Sequence, residues 1–287
     1  MPENLRSLRR KIRTTENIRQ ITRAMSMVSA VQLRRVQERV ERRREYFRRL
    51  NQILGRISAS DTPISHAYLR QPDQRQRVGL VVAAGDRGLC GSYNANVFRA
   101  AEQFIRDMGC QVEVIAVGAK AVAHARRSGW NTLETYYSLS DVQETEKAAQ
   151  ICRAIRQHFD AGSLDSLNIA YTKFVSISRQ APTLEQVLPI PHDIAATEAP
   201  VEYIYEPGPA ELINTLLPMA VEAQLRYYLV QSLASEQAAR MIAMTAAADN
   251  AEEMRGDLVR QLNRARQQKI TNEILEVAAG AEALGHL

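Results

Sequence analysis

A chain of 287 residues, 45% hydrophobic and 24% charged with a formal net charge of +5, is ordinary soluble material for one or two domains. No stretch approaches 18 consecutive apolar residues, which excludes a membrane-spanning helix, and the polar, basic N-terminus lacks the apolar core of a signal peptide. Three scattered cysteines (Cys90, Cys110, Cys152) make neither a disulfide framework nor a thiolate metal site, and five histidines without HExxH or His-x-His spacing give metal catalysis no foothold.

Residues 4–57 contain no proline and one glycine, Gly55, and predict a single helix of roughly 80 Å. Its apolar positions alternate by three and four: Leu33, Val36, Val40, (Arg43), Phe47, Leu50, Leu54 and Ile57 form a heptad seam. Ile18, Ile21, Met25 and Val28 continue the pattern upstream, with Leu5, Leu8 and Ile12 in a slightly shifted frame. Residues 1–57 hold 16 basic against 5 acidic side chains, a net of +11, so the remainder carries −6. Such a cationic helix suits an acidic partner: nucleic acid, anionic lipid or an acidic protein surface.

The middle of the chain, 76–195, changes period. Arg77–Ala84 and Val112–Gly118 are short apolar runs ending near glycine, each followed by a helical segment; 142–160 predicts a further amphipathic helix, and Leu167–Ser176 and Glu185–Ile190 predict strands. The alternation predicts an α/β domain with a mostly parallel sheet. Segments 58–75 and 196–210 are read as linkers, and 211–287 as the C-terminal helical arm. Residues 219–279 again lack proline and hold one glycine, Gly256, for roughly 90 Å of helix. Its stripe runs Leu225, Leu229, Leu233, Met241, Thr245, Ala248, Leu258, Leu262, Ala265, Ile274 and Val277, and Pro218 is read as a kink or restart rather than a mid-helix residue. Neither terminal helix can bury its stripe alone. The fold class is therefore α/β plus a long antiparallel coiled coil in which the two terminal helices pair.

Gly85, Gly88 and Gly91 in GDRGLCG follow a strand and precede a helix, where phosphate loops sit, but the spacing GxxGxxG matches neither the dinucleotide fingerprint nor Walker A. A tight structural turn is the better reading. Cys90 lies near the start of the following helix, where a thiol pKa can be depressed, but without a paired histidine a buried or idle thiol is the default reading. The run Arg34–Arg49 resembles a basic region fused to a zipper, yet its arginines share turns with Glu38, Glu41 and Glu45, the pattern of a solvated flank with intrahelical pairs.

Three segments together resemble the gamma subunit of F-type ATP synthases: LRRKIRTTENIRQITRAMSMVSAVQLRR (8–35), LVVAAGDRGLCGSYNANVF (80–98), and ASEQAARMIAMTAAADNAEEM (234–254) with LNRARQQKITNEILEVAAGAEAL (262–284). The resemblance implies a non-catalytic central shaft with a Rossmann-like domain, turning inside an alpha3–beta3 ring and joined to epsilon and the c-subunit ring. It would couple transmembrane proton (ion) flow to ATP synthesis and hydrolysis at the beta subunits. By the same resemblance Arg9, Arg10, Lys11, Arg19, Arg23, Met25, Arg34 and Arg35 face beta subunits, as do Arg266, Gln267 and Thr271 on the last helix. Tyr203, Tyr205 and Glu206 match the foot that meets the c ring or epsilon. No catalytic residue, cofactor or metal is expected. No nucleic acid is expected as a partner, and membrane attachment, on the cytoplasmic face of a bacterial membrane, runs through partners alone. The chloroplast relatives' inserted cysteine pair has no counterpart here. Two competing readings remain at this stage: a basic coiled-coil nucleic-acid-binding protein, and a small nucleotide-binding enzyme built on 76–195.

Overall fold

The computed structural model describes residues 5–58, 66–70, 76–137, 144–190, 206 and 208–285. In chain order these form α1 (Leu5–Ser58), β1 (Arg77–Ala83), α2 (Tyr93–Met108), β2 (Gln111–Val117), α3 (Ala119–Ser128), β3 (Thr132–Tyr136), α4 (Glu144–Asp160), β4 (Ser166–Phe174), β5 (Gln180–Leu188) and α5 (Pro209–Gly285). Two compact units emerge: residues 1–28 with 241–287, and residues 29–240.

The second unit is built on a five-stranded sheet ordered β3-β2-β1-β4-β5. β1 pairs parallel with β2 and β4, and β2 with β3; only the edge strand β5 runs antiparallel, against β4. β1 reads as a nearly unbroken apolar run because it is central and covered on both faces. On one face Val78, Leu80 and Val82 meet Val97, Phe98 and Ala101 of α2 and Ala121, Val122 and Ala125 of α3. On the other, Val81, Ile115, Leu167 and Ile169 join a larger core. That core takes in Ile151 and Ile155 of α4, Leu50, Leu54 and Ile57 of α1, and Ile213, Leu217, Val221 and Leu225 of α5. Both α2 and α3 end at glycines in left-handed conformation, Gly109 and Gly129, the ordinary stop for a helix that turns back into a sheet.

Leu225→Ala is expected to destabilise this unit by about 2–5 kcal/mol, because it empties a fully buried site in a packed core. Ile53→Ala, at a site 44% exposed on α1, should stay within about 0.5 kcal/mol. Chemical denaturation of the full chain would separate the two, and equal losses would contradict this placement of the core.

Four findings depart from the expectations. β3 (TLETY) was not expected; it is a polar edge strand whose Leu133 and Tyr136 are only half-buried, so its periodicity is faint. β5 begins at Gln180, five residues before the apolar run that signals it. Pro218 lies inside α5, which starts at Pro209, the first helical position that proline favours. Its missing amide costs about 3 kcal/mol in principle, but Ile213, Leu217, Ala220 and Val221 around it are buried and fix the helix there. Finally, within 58–75, Tyr68 is buried. Its hydroxyl donates to Asp160, it receives Arg156 Nη1 at 3.0 Å, and its carbonyl accepts Ile190 N at 2.7 Å.

In the first unit the two helix segments run antiparallel: Ser26 reaches Thr245, while Glu16 and Arg19 reach Arg255 and Glu252. Few large apolar side chains close this pair. Among the described residues, Leu8, Thr15, Met244, Ala248 and Ala251 are its buried members.

Candidate functional site

The heptad frame fixed by Leu33, Val36, Val40, Leu50, Leu54 and Ile57, all buried, can be run back along α1 in steps of three and four. It passes through Ser29, Ser26, Thr22, Arg19, Thr15, Ile12 and Leu8. All of these positions are buried or half-buried, and most are polar. Ile18, Ile21 and Val28, expected in the seam, are 49%, 58% and 56% exposed, as are Met27 and Val31 at 59% and 54%. The correction has a simple cause: the apolar stripe lies beside the seam instead of in it, and periodicity alone does not say which face a partner helix takes. Ile274 and Val277 of α5 are likewise exposed, as is every residue from 266 to 280.

Polar contacts hold the first unit's pair. The Ser26 and Thr245 hydroxyls lie 2.7 Å apart, and Ser26 Oγ also donates to the Met241 carbonyl at 3.3 Å. Arg19 Nε sits 3.2 Å from Glu252 and Arg255 Nε 3.5 Å from Glu16, closing a four-residue ionic cluster with intrahelical pairs Arg19–Glu16 and Arg255–Glu252. Hydrogen bonds from Arg19 and then Gln20 hold the Glu16 carboxyl at about 2, well below its usual 4.5. A carboxylate depressed in the folded state contributes its stability above its unfolded pKa and loses it as pH falls through the folded one. Protection of amides 12–26 against hydrogen exchange should therefore fall as pH drops from 4.5 to about 2. The fall should be smaller in Glu16→Gln; identical profiles for the two proteins would contradict the cluster's role.

Arg9, Arg10, Arg23, Arg34 and Arg35 are exposed on α1; Met25 is half-buried. Arg19 is turned into the ionic cluster. Arg266, Gln267 and Thr271 are exposed on α5, the Thr271 hydroxyl bonding back to the Gln267 carbonyl at 3.0 Å. Further along α1, Arg48 and Arg49 pair with Glu45, and Arg42 bonds the Glu38 carbonyl. Glu206 is exposed, whereas Tyr203 and Tyr205 lie outside the described residues.

A second constellation escaped the sequence reading. Between 224 and 240, α5 carries seven buried polar or charged residues, Gln224, Gln231, Ser232, Ser235, Glu236, Gln237 and Arg240. On paper they look like a solvated face; in the structure most of them stitch α5 to the α/β body. Gln231 Oε1 accepts Phe174 N at 2.8 Å, Ser235 Oγ donates to the Thr172 carbonyl at 2.9 Å, and Ser232 Oγ donates to the Ala83 carbonyl at 3.2 Å. Tyr93 meets the same Ser232 hydroxyl at 2.8 Å. Tyr228, bonded by Gln224, shares the Glu185 carboxylate with Tyr171, and burial pushes both phenols up. Only their spacing, three or four residues apart on one face, could have signalled the row.

The row ends at the glycine turn. Gly85 lies against the Glu236 carboxylate; a Cβ there would stand 2.8 Å from Cδ. Gly85 N donates to Asn94 Oδ1 at 3.0 Å, its carbonyl accepts Lys120 N at 3.0 Å, and Asp86 Oδ1 accepts Ala119 N at 3.0 Å. Gly91 has φ +58, and Gly88 has ordinary φ with room for a methyl group. An anion brought against Gly85 would meet a carboxylate, which disfavours a phosphate site. Glu236 is paired with Arg240 at 2.5 Å, each side chain 9% exposed. Burial raises the Glu236 carboxyl, opposed by the arginine. The Cys90 thiol is buried, as the default reading expects, and burial together with the facing Glu236 raises its pKa.

Among the described residues no group of side chains could hold a metal ion, and no helix is long and apolar enough to cross a membrane. The family model described as ATP synthase matches residues 4–284. An ATP synthase gamma chain of Desulfitobacterium hafniense is 40% identical over 281 residues, covering 97% of this chain and 98% of that protein. Another from Xanthomonas campestris is 35% identical over 285 residues, covering 97% and 99%. Among solved structures, the rotor of the Euglena gracilis mitochondrial ATP synthase shares the fold with a TM-score of 0.64 at 16% identity, covering 93% of this chain and 98% of that one. Matched end to end in sequence and fold, the chain belongs to the ATP synthase gamma chain family.

Proposed function

We propose that this chain is the central shaft of the F1 sector of a rotary ATP synthase, a subunit that performs no chemistry and conveys rotation. The observation that carries the reading is the inside-out helix pair of the first unit. Its seam is polar and thinly packed, while Ile18, Ile21, Met27 and Val28 on α1 and Ile242, Met254, Ile270, Ile274 and Val277 on α5 face outward. A solvated helix pair gains nothing from that arrangement, and apolar side chains gathered on an outer face suit a partner's footprint. A ring closing around the pair would cover both stripes. Apolar contacts lack directional bonds, so they give low barriers between successive angles.

Under this reading Arg9, Arg10, Arg23, Arg34 and Arg35 meet acidic surfaces of the beta subunits beside Met25. Arg266, Gln267 and Thr271 engage a beta loop. Arg19 serves the helix pair itself, through its bonds to Glu16 and Glu252. Glu206, with Tyr203 and Tyr205, belongs to the foot toward epsilon and the c ring. Shaft angle is then the input that biases each beta subunit among its conformations. The catalytic sites lie in the ring, and the complex sits on the cytoplasmic face of a bacterial energy-transducing membrane, held there by partners.

Co-expression with alpha and beta subunits tests this. A discrete complex with one copy of the chain per three alpha–beta pairs is expected by native mass measurement. A folded chain that leaves its own organism's ring empty would overturn the reading.

A further inference from the structure

The row of buried polar groups on α5 ends in a feature that stability alone does not call for. We propose that Glu236 and Arg240 are positioning residues, a clasp that fixes the 85–91 turn on α5 so that the α/β body turns with the helix instead of slipping around it. This rests on the shaft reading above.

Three observations on the clasp agree. First, it reaches a hub. Arg240 Nη2 binds Glu236 Oε1 and points to the Gly88 carbonyl at 3.4 Å, while the Glu236 carboxylate packs on Gly85. The same turn receives the amides of Ala119 and Lys120 at the start of α3 and the Asn94 side chain of α2. Whatever orients this turn orients both helices on that side of the sheet. Second, the neighbouring contacts differ in target: Gln231, Ser232 and Ser235 bond strand backbone, whereas the 236–240 pair meets the turn beyond β1. Third, a buried ion pair is a poor means of adding stability, since desolvation offsets most of its attraction and apolar replacements of similar volume are often as stable. What it supplies that an apolar pair lacks is direction. Packed apolar surfaces can slide, whereas a carboxylate held against a glycine Cα and a guanidinium aimed at a carbonyl fix a rotation angle.

The test separates position from stability. Glu236→Met with Arg240→Met removes both charges at similar volume. In the isolated full chain, the variant is expected to unfold close to wild type, yet the amides of Gly85, Ala119 and Lys120 should exchange at least about tenfold faster. That readout does not depend on the shaft reading. In complexes reconstituted into vesicles, ATP hydrolysis should stay within roughly twofold of wild type, while ATP synthesis under an imposed proton or sodium gradient falls severalfold more. Unchanged exchange and unchanged synthesis would overturn the clasp, and so would equal losses of hydrolysis and synthesis, which indicate plain structural damage. If the double variant does not fold, Gly85→Ala supplies the second probe, because its methyl group would displace the Glu236 carboxylate from 2.8 Å. The same faster exchange and selective loss of synthesis are expected from it, and wild-type values would overturn the proposal.

Discussion

Gly118→Ala should cost the chain about 3 kcal/mol or more, among the largest effects available to a single added methyl group. Gly118 closes β2 and opens α3 at φ +98, a conformation that L side chains rarely adopt. A Cβ there would stand 2.0 Å from the Ala84 carbonyl oxygen and 3.0 Å from its carbon. Both are backbone atoms locked into the ladder, since Ala84 N bonds the Val117 carbonyl and Gly118 N bonds the Tyr136 carbonyl. Neither can give way without pulling strands apart. Gly129→Ala is the matched control: φ is +64, but nothing lies within 4 Å, so only the backbone penalty of about 1–2 kcal/mol applies. Denaturant titration of both variants checks this. Equal losses would show that conformation and not the close approach governs position 118.

Reversing charge at Arg9, Arg10 and Arg23 together should leave the isolated chain folded, since all three are exposed. Turnover of the ring complex should nevertheless fall by at least about tenfold at low salt, because under the proposed shaft function each reversal turns an attraction across the ring interface into a repulsion. About 1.4 kcal/mol in total suffices for that factor, well within what three interfacial charges supply. The deficit should shrink as salt is raised and screening shortens the reach of the field. Arg127→Glu, exposed on α3, is expected to do neither. A triple variant that assembles and turns over normally would remove the cationic face from the account.

Much of this fold is legible in the residues, for reasons that also explain the misses. The seam Leu33–Ile57 reads correctly because large side chains at heptad spacing have one way to leave water: Leu33, Val36 and Val40 are buried, and Leu50, Leu54 and Ile57 join the core shared with α5 and the sheet. The same rule points the wrong way upstream. Ile18, Ile21 and Val28 are as periodic as a seam, but Thr15, Arg19 and Ser26 take the partner helix. Hydrophobic periodicity says that a face will be covered, and is silent about whether by the chain itself or by something else. The polar row on α5 was hidden by the opposite assumption, that glutamine, serine, glutamate and arginine mark a solvated face. Here Gln231, Ser232 and Ser235 find backbone partners, Gln237, Glu236 and Arg240 pair among themselves, and Gln224 bonds the Tyr228 hydroxyl, so burial costs little. The turn at Gly85 was visible as glycines, but its meaning depends on Glu236, distant in sequence and close in space.

The central claim is rotation, and the most direct measurement is to watch it. With the alpha3–beta3 ring immobilised and a marker fixed to the exposed face of α3, ATP should drive continuous turning of the marker in one direction, and turning should stop when ATP is exhausted. A complex that hydrolyses ATP at full rate while the marker stays still relative to the ring would contradict the shaft account outright.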